Sequence, residues 1–288
     1  MSVAIVTDST AYLPVDLVAR QGIRVVPLHV VLGGQQFSEG IDVTTADVAI
    51  ALRKFTPVST SRPSPQAFLD AYEAAAANGA HALVSVHISS DMSGTVESAT
   101  LAASQSPIPV EVVDSRSIGM AMGYAVLSAA TAAQEGQEAK AVAAIAKSRA
   151  EAATVIFYVD TLEYLRRGGR IGAASALLGS ALAIKPLLAL SDGHIRALEK
   201  VRTSARALSR LEELALRAAD AAGESGVDIA VHHLDAQTRA GELVDRLLTR
   251  VASSATVVVV ELGAVVGAHV GPGTIAVAVS PRPLASKD

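Results

Sequence analysis

The sequence predicts an α/β chain in two parts: an N-terminal part on a mainly parallel sheet with flanking helices, and a C-terminal α+β part on a mixed sheet. Three observations carry this prediction. Apolar, β-branched runs alternate with helix-length segments through the first half, the pattern of a parallel sheet covered by helices. In the second half Asp192-Gly193 stands between two strand-like runs and marks a hairpin, which a purely parallel sheet does not contain. Half of the 288 residues are hydrophobic but only 3% are aromatic, so the interior must be built from Ala, Val, Leu and Ile.

Taken in order, Val3–Thr7 reads as a buried strand and Asp8-Ser9-Thr10 as a polar turn at its carboxyl end. A helix begins near Pro14, whose missing N–H costs nothing in a first turn, and stops at Gly22. Ile23–Val31 is β-rich and closes on Gly33-Gly34, and residues 28–44 read as a small β-like excursion. Thr45–Phe55 and Pro65–Ala77 have helical composition. His81–His87 is a strand, Gly94–Ser104 a helix, Val110–Val113 a strand and Gly119–Gln134 a helix. The Ala-rich helix Glu138–Ala152 bridges the two parts, which divides the chain into domains at 1–150 and 151–288. Thr154–Val159 follows as a strand, then the hairpin Leu187–Leu190 and His194–Leu198. Helices Ser204–Ala222 and Thr238–Ala252 flank the strand Asp228–Leu234, and strands Thr256–Leu262 and Thr274–Val279 complete the part.

Composition excludes several function classes. No apolar run approaches the ~20 residues of a membrane-spanning helix; Lys185 and Pro186 break the longest candidate. The chain enters its first strand with no basic region or cleavage site ahead of it, which predicts no signal peptide and a cytoplasmic protein. The absence of cysteine removes disulfides, thiol catalysis and thiolate metal sites. A net charge of −4 gives no general attraction to nucleic acid or anionic membrane. There is no P-loop, dinucleotide fingerprint, kinase signature or metal-ligand spacing.

The polar segments that remain are short. Ser89-Ser90-Asp91-Met92-Ser93-Gly94-Thr95 follows an apolar strand and opens a helix, where free N–H groups and the helix dipole favour an oxyanion. Ser93 is positioned to donate to a carboxylate or phosphate and Gly94 lets the backbone come close; helix capping alone would also account for the segment. It lacks the Gly-x-Ser-x-Gly elbow of a hydrolase. Thr60-Ser61-Arg62 sits in a run stiffened by Pro63 and Pro65, so it presents hydroxyls on a rigid loop or forms an ordinary turn into a helix capped by Ser64. Asp8 and Ser9 lie outside the carboxyl end of a strand, where α/β ligands bind, or serve as caps. His269 is enclosed by Gly263, Gly267, Gly271, Pro272 and Gly273, which permits close backbone approach and points to a histidine that hydrogen-bonds an acidic group. His232 and His233 alternate along one strand, so at most one faces any given site, and both read as structural. Arg166-Arg167-Gly168-Gly169-Arg170 is the densest cationic cluster, with Lys200 and Arg202 downstream; it is a solvated face or a patch for an acidic partner. An anion cradle beside an aliphatic interior suits a ligand with a small acidic head and a long apolar tail.

Several of these segments occur, in order, in the pattern of the DegV family of bacterial fatty-acid-binding proteins, which the whole chain resembles. They are Thr7-Asp8-Ser9-Thr10-Ala11, Thr60-Ser61, Ser93-Gly94-Thr95, Val113-Asp114-Ser115, Leu162 through Ile171, Ile184-Lys185-Pro186, Asp192-Gly193 and His269-x-Gly271-Pro272-Gly273. The resemblance implies two domains with a ligand tunnel between them, holding one long-chain fatty acid. It implies a non-catalytic carrier with no cofactor, which presents the acid to a separate fatty acid kinase for acyl-phosphate formation in phospholipid metabolism. It further implies that Thr60, Ser61, Ser93, Gly94, Thr95 and His269 hold the carboxylate, with Arg62, Asp8 and Ser9 near the head group or mouth. Arg166, Arg167, Arg170, Lys200 and Arg202 would then meet the kinase. The chain departs from the pattern at Arg62, where the family commonly has glutamine. Two other readings use the same cradle: a module for a small acidic or phosphorylated metabolite, and an acyl hydrolase with Ser93 and His269 as nucleophile and base and Asp8 as the orienting group.

Overall fold

The structure, a computed structural model, describes residues 2–177 and 185–283, so Ile184 of the Ile-Lys-Pro motif lies outside the described residues. The chain begins with β1 (Val3–Asp8), a 3-10 turn (Ser9–Ala11), α1 (Val15–Gln21), β2 (Arg24–Val26), β3 (His29–Leu32), β4 (Gln35–Ser38), α2 (Thr45–Arg53) and β5 (Val58–Ser61). It continues through α3 (Pro65–Ala77), β6 (Ala82–His87), α4 (Thr95–Ala103), β7 (Val110–Asp114), α5 (Met120–Gln134), α6 (Ala139–Ala152), β8 (Thr154–Tyr158) and α7 (Glu163–Arg167). Last come β9 (Lys185–Ser191), β10 (His194–Val201), α8 (Ser204–Ala221), β11 (Val227–His233), α9 (Gln237–Leu248), β12 (Thr256–Glu261), α10 (Ala264–Val270) and β13 (Ile275–Pro281).

The strands make three sheets. A parallel sheet runs β2-β1-β6-β7, a mixed sheet runs β10-β9-β8-β13-β11-β12, and a small antiparallel sheet runs β4-β3-β5. Local chemistry sets the boundaries. Pro14 precedes α1 and Gly22 ends it in the left-handed region at φ 64°. Thr44 and Asp47 form a reciprocal capping box on α2, and the Ser64 hydroxyl accepts from the Ala67 N–H at the start of α3. Asp192 and Gly193 both have positive φ, as a tight two-residue hairpin requires, and β9 and β10 pair antiparallel across them. Helix α5 is buried around most of its circumference, because it and α6 pack between the parallel and mixed sheets.

Two sequence expectations change, and one segment with no expected element forms a helix. Ile23–Val31 is not one strand: Pro27 separates β2 of the parallel sheet from β3 of the small one. The excursion expected over 28–44 grows into a sheet that also takes in β5, so Thr60 and Ser61 lie on a strand, paired with Val30 and His29, and not in a loop. The glycine-rich run before His269 is a helix, α10. Its Ala264, Val265 and Ala268 pack into one apolar cluster with Leu28 and Val30 of the small sheet and Val48 and Leu52 of α2. Burial of that face outweighs the low helix propensity of Gly267.

Candidate functional site

A cavity with about 960 Å³ of empty space, counting its open mouth, lies between these units. One wall is a face of the mixed sheet. Side chains alternate along strands, so Val227, Ile229 and Val231 of β11 enter the core beneath α8 and α9 while His232 takes the opposite face. There it joins Val155 and Phe157 of β8, Leu190 of β9 and Ala276 of β13. The facing wall comes from Ile88, Met92 and Ile118, which follow strands of the parallel sheet, and the side from Val265, Val266 and Val270 of α10. The lining is mainly aliphatic.

Polar groups are concentrated at one end. Thr60 Oγ1 lies 2.8 Å from His269 Nε2, joining β5 to the last turn of α10. Burial, with a smaller contribution from the Arg170 charge, pushes His269 down to about 4, so its ring is neutral at pH 7. Nδ1 is sealed from solvent without a hydrogen-bond partner. It packs on Gly168, where a Cβ would stand 2.0 Å from it, so only glycine fits under this ring. A lone pair tolerates that apolar contact better than an N–H, which places the proton on Nε2. Nε2–H then donates to Thr60, whose own hydroxyl proton is free to turn toward the cavity. Ser61, Arg62, Ser93 and Arg170 line the same end.

These side chains are held from behind. Ser93 Oγ is 2.8 Å from Thr95 Oγ1, and Thr95 is buried at the start of α4; Gly94 and Thr95 support Ser93 rather than line the cavity. Arg62 donates to the Gly94 carbonyl at 3.2 Å and pairs with Glu97, so its guanidinium is committed to the edge of the mouth. Arg170 donates to the Met92 and Gly168 carbonyls at 3.2 and 2.6 Å, folding it over the opening.

Other candidates lie elsewhere. Asp8 is fully buried away from this cavity and accepts from Thr10 N–H, the Thr10 hydroxyl, Ile88 N–H and His87 Nδ1. It orients His87 and not His269, so no Ser93–His269–Asp8 triad exists. Ser9 donates to Glu39 Oε2 at 2.5 Å in a separate hollow that Asp8 and Tyr12 also line. Arg166 and Arg167 are exposed and both pair with Glu163, holding its carboxyl down to about 2. Lys200 and Arg202 lie at the far end of β10 from the hairpin, where Lys200 stands opposite Pro186.

Two residues escaped the sequence reading. His232 lines the cavity, and only strand parity together with the Gly119 before α5 hinted at it. Glu39 had no sequence signal at all. It is buried, its pKa raised by desolvation, and it accepts from the Ser9 hydroxyl and, at 2.7 Å, from the Val265 N–H in the first turn of α10. It thereby ties the helix that carries His269 to the small sheet.

Comparisons with known proteins agree with this architecture. A family profile described as "Uncharacterised protein, DegV family" matches residues 2–282. A DegV domain-containing protein of Streptomyces coelicolor is 53% identical over 280 residues, covering 97% of this chain and 99% of its own. The fold is similar to that of a DegV family protein from Thermus thermophilus solved for its fatty acid binding, with TM-score 0.90 and 35% identity, covering 98% of this chain and 100% of that one. It is also similar to DegV, a fatty acid binding protein from Bacillus subtilis, with TM-score 0.89 and 29% identity over 98% of this chain and 100% of that one. The chain belongs to the DegV family.

Proposed function

We propose that this protein binds one long-chain fatty acid, with the carboxylate at the Thr60–His269 end and the acyl chain along the aliphatic cavity. One observation carries the reading: a mainly aliphatic cavity at one end of which the Thr60, Ser61 and Ser93 hydroxyls gather around the neutral imidazole of His269. Each buried methylene contributes about 0.8 kcal/mol, so a long tail offers on the order of 10 kcal/mol before ordering costs. A buried carboxylate is costly unless hydrogen-bonded; Thr60, Ser61 and Ser93 offer it hydroxyl donors, and His269 holds Thr60 so that the Thr60 proton faces the cavity. The fatty acid binding of the Thermus thermophilus and Bacillus subtilis relatives supports the same ligand class.

In this reading the protein is a carrier divided into two domains near residue 150, and it does no chemistry itself. His269 lacks a carboxylate partner among the described residues, and the Ser93 hydroxyl is engaged by Thr95, which argues against an acyl hydrolase. The mainly aliphatic lining of the cavity argues against a small acidic metabolite. A separate fatty acid kinase would take the presented acid, docking over Arg166, Arg167 and Arg170, which flank in sequence the Gly168 packed on His269, while Lys200 and Arg202 at the far end of β10 stand apart from this face.

The deciding experiment is denaturing extraction of freshly purified protein followed by mass spectrometry. A near-stoichiometric long-chain fatty acid is expected. An empty protein that also refuses added fatty acid would overturn the reading. For the kinase, Arg166→Ala with Arg167→Ala, both exposed and outside the cavity lining, is expected to leave binding intact and lower acyl-phosphate formation; loss of binding itself would reject the docking role.

A further inference from the structure

His232 is the one imidazole on the aliphatic wall of the cavity, and its chemistry is half accounted for. The residue is 2% exposed. Its Nε2 accepts a hydrogen bond from the Met120 N–H at 3.0 Å, in the first turn of α5. Gly119 makes this approach possible: it sits at φ 63°, and a Cβ there would lie only 3.1 Å from Nε2. An Nε2 that accepts carries no proton, so in the neutral ring the proton is on Nδ1. Burial and the neighbouring His233 push His232 down to about 4, which keeps the ring neutral at pH 7.

The Nδ1–H has no hydrogen-bond partner among the described residues. His232 differs here from His269 and His233, whose orphan Nδ1 atoms are sealed inside the protein. The Nδ1 of His232 is not sealed in that way, and the residue lines the cavity beside Val155, Leu190 and Ile118. A hydrocarbon lying against it leaves a buried donor unpaired, which costs free energy. An oxygen at the same place recovers it.

We propose that His232 is a second polar contact of the cavity, and that the preferred ligand is a fatty acid bearing a hydroxyl or keto oxygen on its acyl part, away from the carboxylate. This rests on the fatty-acid reading above and narrows its substrate class. His232 sets specificity by donating Nδ1–H to that oxygen, while α5 holds the tautomer in place through the Met120 N–H.

The test is equilibrium binding of delipidated full-length protein to hexadecanoic acid and to its mid-chain and terminal hydroxy derivatives. At least one derivative is expected to bind about 10-fold more tightly than the parent acid, the worth of one well-made buried hydrogen bond. His232→Met is expected to lose the preference and, with the unpaired donor gone, to bind the parent acid at least as tightly as wild type does. His232→Gln is expected to keep it, since its amide oxygen can accept from Met120 while its NH₂ donates to the ligand, and it serves where the Met variant folds poorly. A wild-type protein that binds every hydroxy derivative no more tightly than the parent acid overturns the proposal, as does a His232→Met variant that keeps the preference. Failure to bind any of the acids, parent included, overturns the fatty-acid reading on which it rests.

Discussion

The molecule contains two hydroxyl–imidazole pairs of similar geometry in opposite circumstances. In the parallel sheet Tyr72 donates to Ser85 Oγ at 2.9 Å, Ser85 Oγ is 2.7 Å from His87 Nε2, and His87 Nδ1 is 3.1 Å from Asp8, all fully buried. At the cavity end, Thr60 meets His269 at 2.8 Å, with nothing on the other ring nitrogen and open space in front. The first chain has the residue types of a catalytic triad, yet every member has a partner and none lines the cavity that His269 does. The second has too few partners of its own. Residue type does not separate a structural network from a binding site; unspent hydrogen-bonding capacity beside empty space does.

The comparison breaks most visibly at Asp8. Asp8→Ala strips four hydrogen bonds from a sealed network and is expected to cost about 3 kcal/mol or more of unfolding free energy by denaturant titration, while the folded fraction binds fatty acid like wild type. His269→Ala should do the reverse. Fatty-acid affinity is expected to fall about 30-fold, because the Thr60 hydroxyl is no longer held with its proton toward the carboxylate and that charged hydrogen bond is lost, with stability changed by about 1 kcal/mol or less. If Asp8→Ala abolishes binding at unchanged stability, the assignment of the two networks is inverted.

Acid sharpens the contrast. Burial holds His269 and His232 at about 4 in the ligand-free fold, below the ordinary 6.5. The unfolded chain therefore binds protons that the fold refuses. The contribution is fully present above pH 6.5 and is lost as the pH falls toward about 4. His269→Gln is expected to flatten that acid limb in pH-dependent melting. A carboxylate seated beside His269 raises its pKa and should flatten it as well. The smallest effect belongs to the mouth: Arg166→Ala is expected to leave the melting temperature unchanged, because its pairing with Glu163 is solvent-exposed.

Much of this was legible before any coordinates. The order of strands and helices, the Asp192-Gly193 hairpin and the mainly aliphatic lining follow from local pattern and composition. Thr60, Ser61, Ser93 and His269 were also legible as polar punctuation in apolar surroundings, and the fold brings all four to one cavity end. The failures share a cause. Asp8 looked like a site residue because its position after β1 is right, but its partners Thr10, His87 and Ile88 include two that are about eighty residues away and satisfy it completely. Glu39 and His232 act through contacts to Val265 and Met120, at separations of 226 and 112 residues, which no local pattern encodes. Helix α10 was hidden because its stability comes from packing against the small sheet, not from its glycine-bearing sequence.

Glu39 holds one end of α10, and His269 sits near the other, about one turn away. The same helix shares an apolar cluster with the sheet that carries Thr60 and Ser61. Thr60, Ser61 and His269 therefore belong to one packed body, whereas Val155, Phe157, Leu190 and Ala276 belong to the mixed sheet. Head and tail of a bound acid are read by separately built instruments. Free-energy changes from Thr60→Ala and from a cavity-wall change such as Ala276→Leu should then simply add in the double variant, so that chain preference can drift through evolution while recognition of the acid stays fixed.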